Sequence, residues 1–388
     1  MDAIIRSWRY LPDASHRDLR LDLLRGYFIV VMTIDHIGFF PAWTQVFTGR
    51  GKLWVSAAEG FVIISGLMFG RLYRRRILEK GWDWSIHHLL RRAVLLYLVS
   101  VVGGLVFYTG DYLLQEIWGR PSTLPASYVD LIINAVLFVR SLPPRLDLLM
   151  LYVAFMPLGL FVIYLLKHDQ VGWVLGISYF LWQARILDHS VLVFLQSAFN
   201  FASWQPLFVL GIIGGFYREE LQIWWHGRPH FIRQLLVGLL LGGTAVILIT
   251  SYQITIHHLF AGVSWLQSDS AIFYKPTLAP GRLIAALIVF TGLWLLVAWF
   301  WVPLRRMFGW LLLPLGQHSL TAYVVHAFPI YLVRRLPWTP TPFGPHNPIA
   351  IGFIHVLIVL LVWQATRLFV LWRDTKLPVN RNPKTVLR

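Results

Sequence analysis

An aspartate and a histidine, Asp35 and His36, interrupt the apolar run VVMTIDHIGFF at residues 30–40. Ionisable side chains are costly within a membrane, so such residues are functional candidates by default. His36 follows Arg25 by eleven residues, or three helical turns, which places both on one helix face about 16 Å apart along the axis. Asp35 points about 100° away from His36. An imidazole at this depth could serve as a general base near neutral pH.

Each of these residues also has a structural interpretation. Arg25 could be a positively charged anchor at the cytoplasmic boundary, and His36 could be satisfied by an interhelical hydrogen bond. Glu59, in the run AAEGFVIISGLMFG, is a further carboxylate that needs a partner, and His36 or Arg25 is the nearest candidate in sequence. We therefore take His36 as the candidate base and Asp35 or Glu59 as the carboxylate that fixes its tautomer.

The elements that must position these residues are membrane helices. The 388 residues are 57% hydrophobic and 13% charged, and apolar stretches of roughly 20 residues recur along the chain. The sequence thus predicts an all-α, polytopic membrane protein with about ten spans in one domain covering residues 1–388. The predicted spans lie near 23–44, 52–73, 89–108, 145–166, 171–188, 200–217, 232–257, 281–303, 311–333 and 349–371. The stretch 128–142 is shorter and is expected to be interfacial or re-entrant.

The net charge of +16 fits this topology. With both termini in the cytoplasm, most of the 34 Lys and Arg residues fall on the cytoplasmic side, as the positive-inside rule requires. The charge therefore does not indicate a nucleic-acid partner. Because the chain has no cysteine, it has no disulfide and no thiol nucleophile.

Four blocks resemble one family. LDLLRGYFIVVMTIDHI and then AAEGFVIISGLMFG resemble the start of OpgC-type membrane succinyltransferases, and the similarity continues at 200–211 (NFASWQPLFVLG) and 315–328 (LGQHSLTAYVVHAF). The chain is more loosely similar to the wider membrane acyltransferase superfamily, many members of which carry an Arg followed eleven residues later by a His. The resemblance implies an acyltransferase-3-like helical bundle in the bacterial inner membrane. It also implies transfer of an acyl group from cytoplasmic acyl-CoA to a periplasmic glucan or similar envelope glycan, with succinyl-CoA as donor by family analogy alone.

Further residues are expected to serve the acceptor side of this chemistry. Asn200, Trp204 and Gln205 can offer hydrogen-bond donors near the outer face, although interfacial hydrogen bonding is an equal alternative. Ser319 and His326 belong to one helical block, and we expect them to line the central cavity with His326 near the acceptor.

The donor side calls for positive charge because CoA is polyanionic. We expect Arg25 to hold an anionic part of the donor, and Arg71, Arg74 and Arg75 to frame the CoA entrance. Positive-inside topology is the alternative explanation for the last three.

The sequence gives less support to metal chemistry and to transport. Adjacent histidines at 87–88 and 257–258 point to different sides of a helix and make poor joint ligands, so no metal is expected. The main alternative function is a proton-coupled transporter or flippase of a glycan precursor, with Asp35, His36 and Glu59 as a proton relay. Binding and turnover of acyl-CoA would distinguish the two classes. The oligomeric state is left open.

Overall fold

A computed structural model describes residues 18–118, 147–184, 200–260, 262–335 and 347–376. The regular structure in these ranges is helical, as predicted. The main helices are α1 (Leu19–Ile37), α2 (Ala57–Trp118), α3 (Asp147–Lys167), α4 (Val171–Gln183), α5 (Phe201–Phe216), α6 (Arg218–His226), α7 (His230–His257), α8 (Pro280–Trp299), α9 (Trp301–Gln317), α10 (Ser319–Arg335) and α11 (Pro348–Lys376). The stretch 128–142 and the terminal residues 1–17 and 377–388 lie outside the described residues.

The chain divides into two compact units. The first comprises Met1–Thr48 and Leu296–Arg388, and the second comprises Gly49–Leu295. The single domain expected from the sequence stays a prediction.

In the first unit, α1 packs against α9, α10 and α11. Its N-terminus is capped by Asp18, whose carboxylate accepts a hydrogen bond from the backbone N–H of Arg20 at 3.2 Å. The helix ends at Gly38, which adopts the left-handed conformation with φ of 73°. The backbones of α1 and α9 meet closely: a Cβ at Gly316 would lie 1.7 Å from the carbonyl oxygen of Asp22. Small residues are thus required where α1 meets α9.

In the second unit, α2 and α5 form an extensive contact, and α3 packs against both. Each of the two contacting helices carries two glycines four residues apart, Gly66 and Gly70 on α2 and Gly211 and Gly215 on α5. A Cβ at any of the four would come within 2.5 Å of a backbone carbonyl oxygen of the facing helix. This is the small-residue packing by which helices associate in membranes.

Two predicted spans lie on α2, which is broken between them. At Gly81 the backbone is non-helical, with φ of 81° and ψ of 176°, a conformation that glycine adopts readily. Across the break, the indole of Trp84 lies 5.4 Å from the guanidinium of Arg76 and 4.3 Å from the ammonium of Lys80. The break therefore separates the two predicted apolar spans, 52–73 and 89–108.

Two other predicted spans do not coincide with single helices. The span at 281–303 is not one helix, because α8 ends at Trp299 and α9 begins at Trp301. Pro303 explains the interruption: in a continuous helix its ring would clash with the carbonyl of residue 299, whereas the first turn of a new helix tolerates it. The span at 311–333 is likewise divided at His318, which lies outside helical geometry between α9 and α10.

Apolar surface faces outward from several helices. Within the described residues, five segments are long and apolar enough to cross a membrane: Ala57–Phe107, Leu148–Lys167, His230–His257, Pro280–Trp299 and Pro348–Arg373. On α7, Leu239, Val246 and Ile249 each leave more than 60% of their surface exposed. An exposed apolar face of this kind suits a lipid environment. Several apolar helices thus support a membrane protein, and the count of ten spans stays a prediction.

Candidate functional site

His36 lies near the C-terminal end of α1, where it meets a second histidine from α10. Its Nδ1 atom is 3.1 Å from Nε2 of His326. The ring centroids are 5.3 Å apart and the ring planes differ by 29°. His326 is 1% exposed, and His36 is only partly buried. The two imidazoles therefore form a hydrogen-bonded pair with one buried and one more accessible member.

Helix α10 supplies further contacts to this pair. Nδ1 of His326 faces the backbone carbonyl oxygen of Tyr323, one turn earlier in the same helix. The ring of Tyr323, itself buried, lies 4.9 Å from the imidazole of His326. From the end of α10, the guanidinium of Arg334 donates a hydrogen bond to the backbone carbonyl of His36 at 3.2 Å. A cation at this position also stabilises the C-terminal end of α1, where the helix dipole is negative.

The other predicted residues of α1 are partly buried. Arg25 lies on the same helix, eleven residues and about 16 Å from His36 along the axis. Asp35 is adjacent to His36 and is also partly buried. Both side chains are engaged in further interactions of the protein. The roles predicted for them, donor binding for Arg25 and tautomer control for Asp35, stay predictions.

The partner of Glu59 is not the one expected from the first span. Arg282, at the start of α8, donates from Nε to the Glu59 carboxylate at 2.5 Å. The second carboxylate oxygen accepts bonds from the backbone N–H and the hydroxyl of Ser56 at 2.9 and 2.6 Å. Glu59 is 0% exposed and the Arg282 side chain 2%. A buried carboxylate needs a cation, and the chain supplies it from 223 residues further along.

Arg282 also binds the two loops that precede α2 and α8. Its Nη1 atom donates to the backbone carbonyls of Leu53 at 3.2 Å and Phe273 at 3.3 Å. Next to it, the rings of Trp54 and Phe273 stack with centroids 4.1 Å apart and planes 3° from parallel. The pair thus holds these two loops together inside the second unit.

The residues expected to bind the acceptor from the block at 200–211 are engaged in helix packing. Asn200 caps α5, since its side-chain oxygen accepts from the backbone N–H groups of Ala202 and Ser203. Gln205 is fully buried and exchanges two hydrogen bonds with Ser178 of α4, at 2.8 and 2.6 Å. Trp204 is also fully buried. These contacts give the block a structural role, and acceptor binding by it stays a prediction.

Ser319 is buried at the first position of α10, seven residues before His326. The two residues therefore share a helix, as expected from the block at 315–328. His326 also contacts another histidine of the same unit, His36.

The basic residues expected at the CoA entrance are partly neutralised. Arg74 bonds both carboxylate oxygens of Glu220 on α6, at 2.8 and 3.0 Å, and the carbonyl oxygen of Phe216. The hydrogen bond from Arg74 lowers the pKa of Glu220. Glu220 therefore stays ionised to a lower pH than an ordinary glutamate. Arg75 pairs with Glu79 at 2.6 Å in an exposed ion pair one turn along α2. Arg71 is partly buried on the same helix.

Sequence reasoning missed two buried residues, one in each unit. Arg282 was not singled out, although an arginine that opens a long apolar run is a possible partner for an intramembrane carboxylate. His355 on α11 is 0% exposed and hydrogen-bonds the Thr44 hydroxyl through Nδ1 at 2.6 Å. Within the described parts of the chain, no group of three or more His, Asp or Glu residues could hold a metal ion.

Comparison with known proteins gives one result. No curated protein and no solved structure that was compared with the chain matches it. A family model described as OpgC protein matches residues 17–371, which contain every candidate residue named above. This match confirms the resemblance carried by the four sequence blocks. The chain therefore belongs to the OpgC family, and this membership implies a membrane-associated acyltransferase that modifies glucans.

Proposed function

We propose that the protein transfers an acyl group, succinyl by family analogy, from cytoplasmic acyl-CoA to a hydroxyl of a periplasmic glucan or similar envelope glycan. In this proposal it lies in the bacterial inner membrane with both termini in the cytoplasm. The observation that carries the proposal is the pairing of His36 with a buried histidine, in a chain of the OpgC family.

His36 is the general base of the proposed reaction. It removes the proton from the sugar hydroxyl as the oxygen attacks the thioester carbonyl. The tetrahedral intermediate then collapses, the carbon–sulfur bond breaks, and the imidazolium returns the proton to the departing CoA sulfur. The products are the glycan ester and CoA, and His36 is neutral again.

Positive charge serves the donor in this scheme. Arg25 lies on the face of α1 that carries His36 and holds an anionic part of the donor. Arg71, Arg74 and Arg75 attract the phosphates of CoA at the cytoplasmic side. Because Arg74 and Arg75 already bind carboxylates, the phosphates would have to compete with Glu220 and Glu79.

Replacement of His36 tests the proposal. His36→Ala and His36→Gln should each lower acyl transfer by about 10²- to 10⁴-fold while the protein still inserts and binds acyl-CoA. Glutamine can form hydrogen bonds but cannot carry the proton, so it separates a base from a structural histidine. His355→Gln is the matched control, because His355 is another histidine of the first unit that bonds a hydroxyl instead. Near-normal transfer by a well-folded His36→Gln variant would remove His36 from the mechanism.

The transporter alternative is less well supported. A proton relay through Glu59 requires this carboxylate to take up and release protons. Arg282 and Ser56 donate three hydrogen bonds to it, and these favour the ionised form. Purified protein that binds acyl-CoA but does not turn it over, while moving a glycan across vesicles, would favour transport over transfer.

A further inference from the structure

We propose that His326 is a positioning residue that fixes the tautomer of His36, so that Nε2 of His36 is the nitrogen that takes the proton. The inference rests on the proposed role of His36 as the base. It replaces the carboxylate that the sequence led us to expect with a second imidazole.

The first step concerns His326 itself. Its Nδ1 atom faces the backbone carbonyl oxygen of Tyr323. A carbonyl oxygen can only accept, so Nδ1 of His326 must carry a proton. Nδ1 of His87 and of His226 likewise meets a backbone carbonyl oxygen of its own helix, four residues back, at 2.9 and 2.7 Å.

The second step follows from the burial of His326. At 1% exposure a doubly protonated, charged ring would carry a large desolvation cost. A neutral ring with its proton on Nδ1 has a lone pair on Nε2. That lone pair faces His36, so His326 acts as a hydrogen-bond acceptor at this atom.

The third step derives the tautomer of His36 from that of His326. Nδ1 of His36 lies 3.1 Å from Nε2 of His326, the atom that carries the lone pair, and must therefore donate. The centroid distance of 5.3 Å is close to the sum of the 3.1 Å between the two nitrogens and the two ring radii. The rings therefore meet edge to edge and nearly in plane. That geometry suits an N–H···N bond and does not suit face-to-face stacking. With its proton on Nδ1, His36 carries its lone pair on Nε2, the nitrogen that takes the proton in the proposed reaction.

The pair also stabilises the state that forms during the reaction. When Nε2 of His36 takes a proton, the ring becomes positively charged and its Nδ1–H bond to His326 becomes charge-assisted and stronger. The partly buried position of His36 leaves it accessible, while the buried His326 holds its orientation.

The test reads the tautomer directly. The full-length protein, labelled with ¹⁵N-histidine and held in lipid nanodiscs at about pH 8, is examined by two-bond ¹⁵N–¹H correlation spectra, in which the two neutral tautomers differ. Loss of a signal in His36→Gln assigns His36. We expect Nδ1–H with unprotonated Nε2 in the wild type, and a shift towards Nε2–H in His326→Leu. His326→Gln should keep the wild-type tautomer, because the glutamine oxygen can accept the same proton.

Acyl transfer gives the second measurement. His326→Leu should lower kcat by roughly 10- to 100-fold with little change in KM, as expected when the partner that orients a functional histidine is lost. His326→Gln should recover most of that loss. An Nε2–H tautomer in the wild type, or an unchanged tautomer in His326→Leu, would refute the inference even if His36→Gln is inactive. Conversely, an active His36→Gln variant would refute the proposed base and leave the tautomer result standing.

Discussion

The buried ion pair between Glu59 and Arg282 gives the sharpest quantitative prediction. Replacing Glu59 with Gln keeps the shape of the side chain but leaves the Arg282 charge uncompensated, with both side chains no more than 2% exposed. Breaking a buried pair from one side costs about 3–5 kcal/mol. For a unit of this size, 1 kcal/mol corresponds to roughly 2–4 °C, so the apparent Tm should fall by about 6–20 °C.

Replacing the other partner, Arg282, should lower the free energy of unfolding further. Arg282→Met removes the charge partner and also the donor that serves the carbonyls of Leu53 and Phe273. A buried carbonyl left without a donor adds about 1–3 kcal/mol. The double variant contains neither charge, so no buried charge lacks a partner. Its loss of stability should therefore be smaller than the sum of the two single losses.

The chain contains a matched control for this experiment. Arg75 and Glu79 form an ion pair at 2.6 Å, nearly the same distance as the buried pair, but their side chains are 64% and 49% exposed. An exposed pair one turn apart contributes only about 0.3–0.5 kcal/mol. Glu79→Gln should therefore change the apparent Tm by no more than about 2 °C. Purified variants would be compared by thermal denaturation followed by fluorescence-detected size exclusion. Equal shifts for Glu59→Gln and Glu79→Gln, or strictly additive losses in the double variant, would refute the reasoning.

Three further predictions concern packing, charge and topology. Gly211→Ala should destabilise the protein by about 1–3 kcal/mol, because its Cβ would lie 2.5 Å from the Ile63 carbonyl oxygen. Gly214→Ala, on the same helix with no atom within 4 Å of its Cβ, should be neutral or slightly stabilising in the same thermal assay. Arg74→Glu should weaken acyl-CoA binding, less so at high salt, and adding Glu220→Arg should restore the ion pair and the thermal stability but not the affinity. If the affinity also returns, Arg74 is structural. Reporters fused after Arg388 and within residues 167–170 should read as cytoplasmic and one within 258–280 as external, and an external C-terminus would contradict the ten-span topology.

The sequence predicted apolar helices well where one run forms one helix. The predicted span at 200–217 corresponds to α5, and that at 145–166 to α3. Hydropathy works there because the length of an apolar run follows from the thickness of a bilayer core. It fails at Phe300 and His318, where the backbone leaves helical geometry inside a predicted span. A local break depends on a few dihedral angles, to which an average over a window is insensitive.

The contact partners of side chains were harder to predict than the helices. The sequence indicated that His36 and Glu59 need partners, because their burial is costly without them. It could not name the partners, which lie 290 and 223 residues away in the chain. Choosing the nearest ionisable residue in sequence led to the expectation that Glu59 would pair with His36 or Arg25. Each residue instead binds a partner in its own compact unit, His326 in the first and Arg282 in the second.

This separation assigns different physical roles to the two buried groups. Arg282 and Ser56 donate hydrogen bonds to Glu59, and these donors favour its ionised form. Through Arg282 the same carboxylate is tied to the two loops that Arg282 binds. His36 instead faces the buried imidazole of His326 at 3.1 Å, and no formal charge faces it in this contact. An imidazole can gain and lose a proton near neutral pH, as a general base must. Of the two, His36 is therefore the one that fits the proposed base, and Glu59 the one that holds the Leu53 and Phe273 loops of the second unit through Arg282.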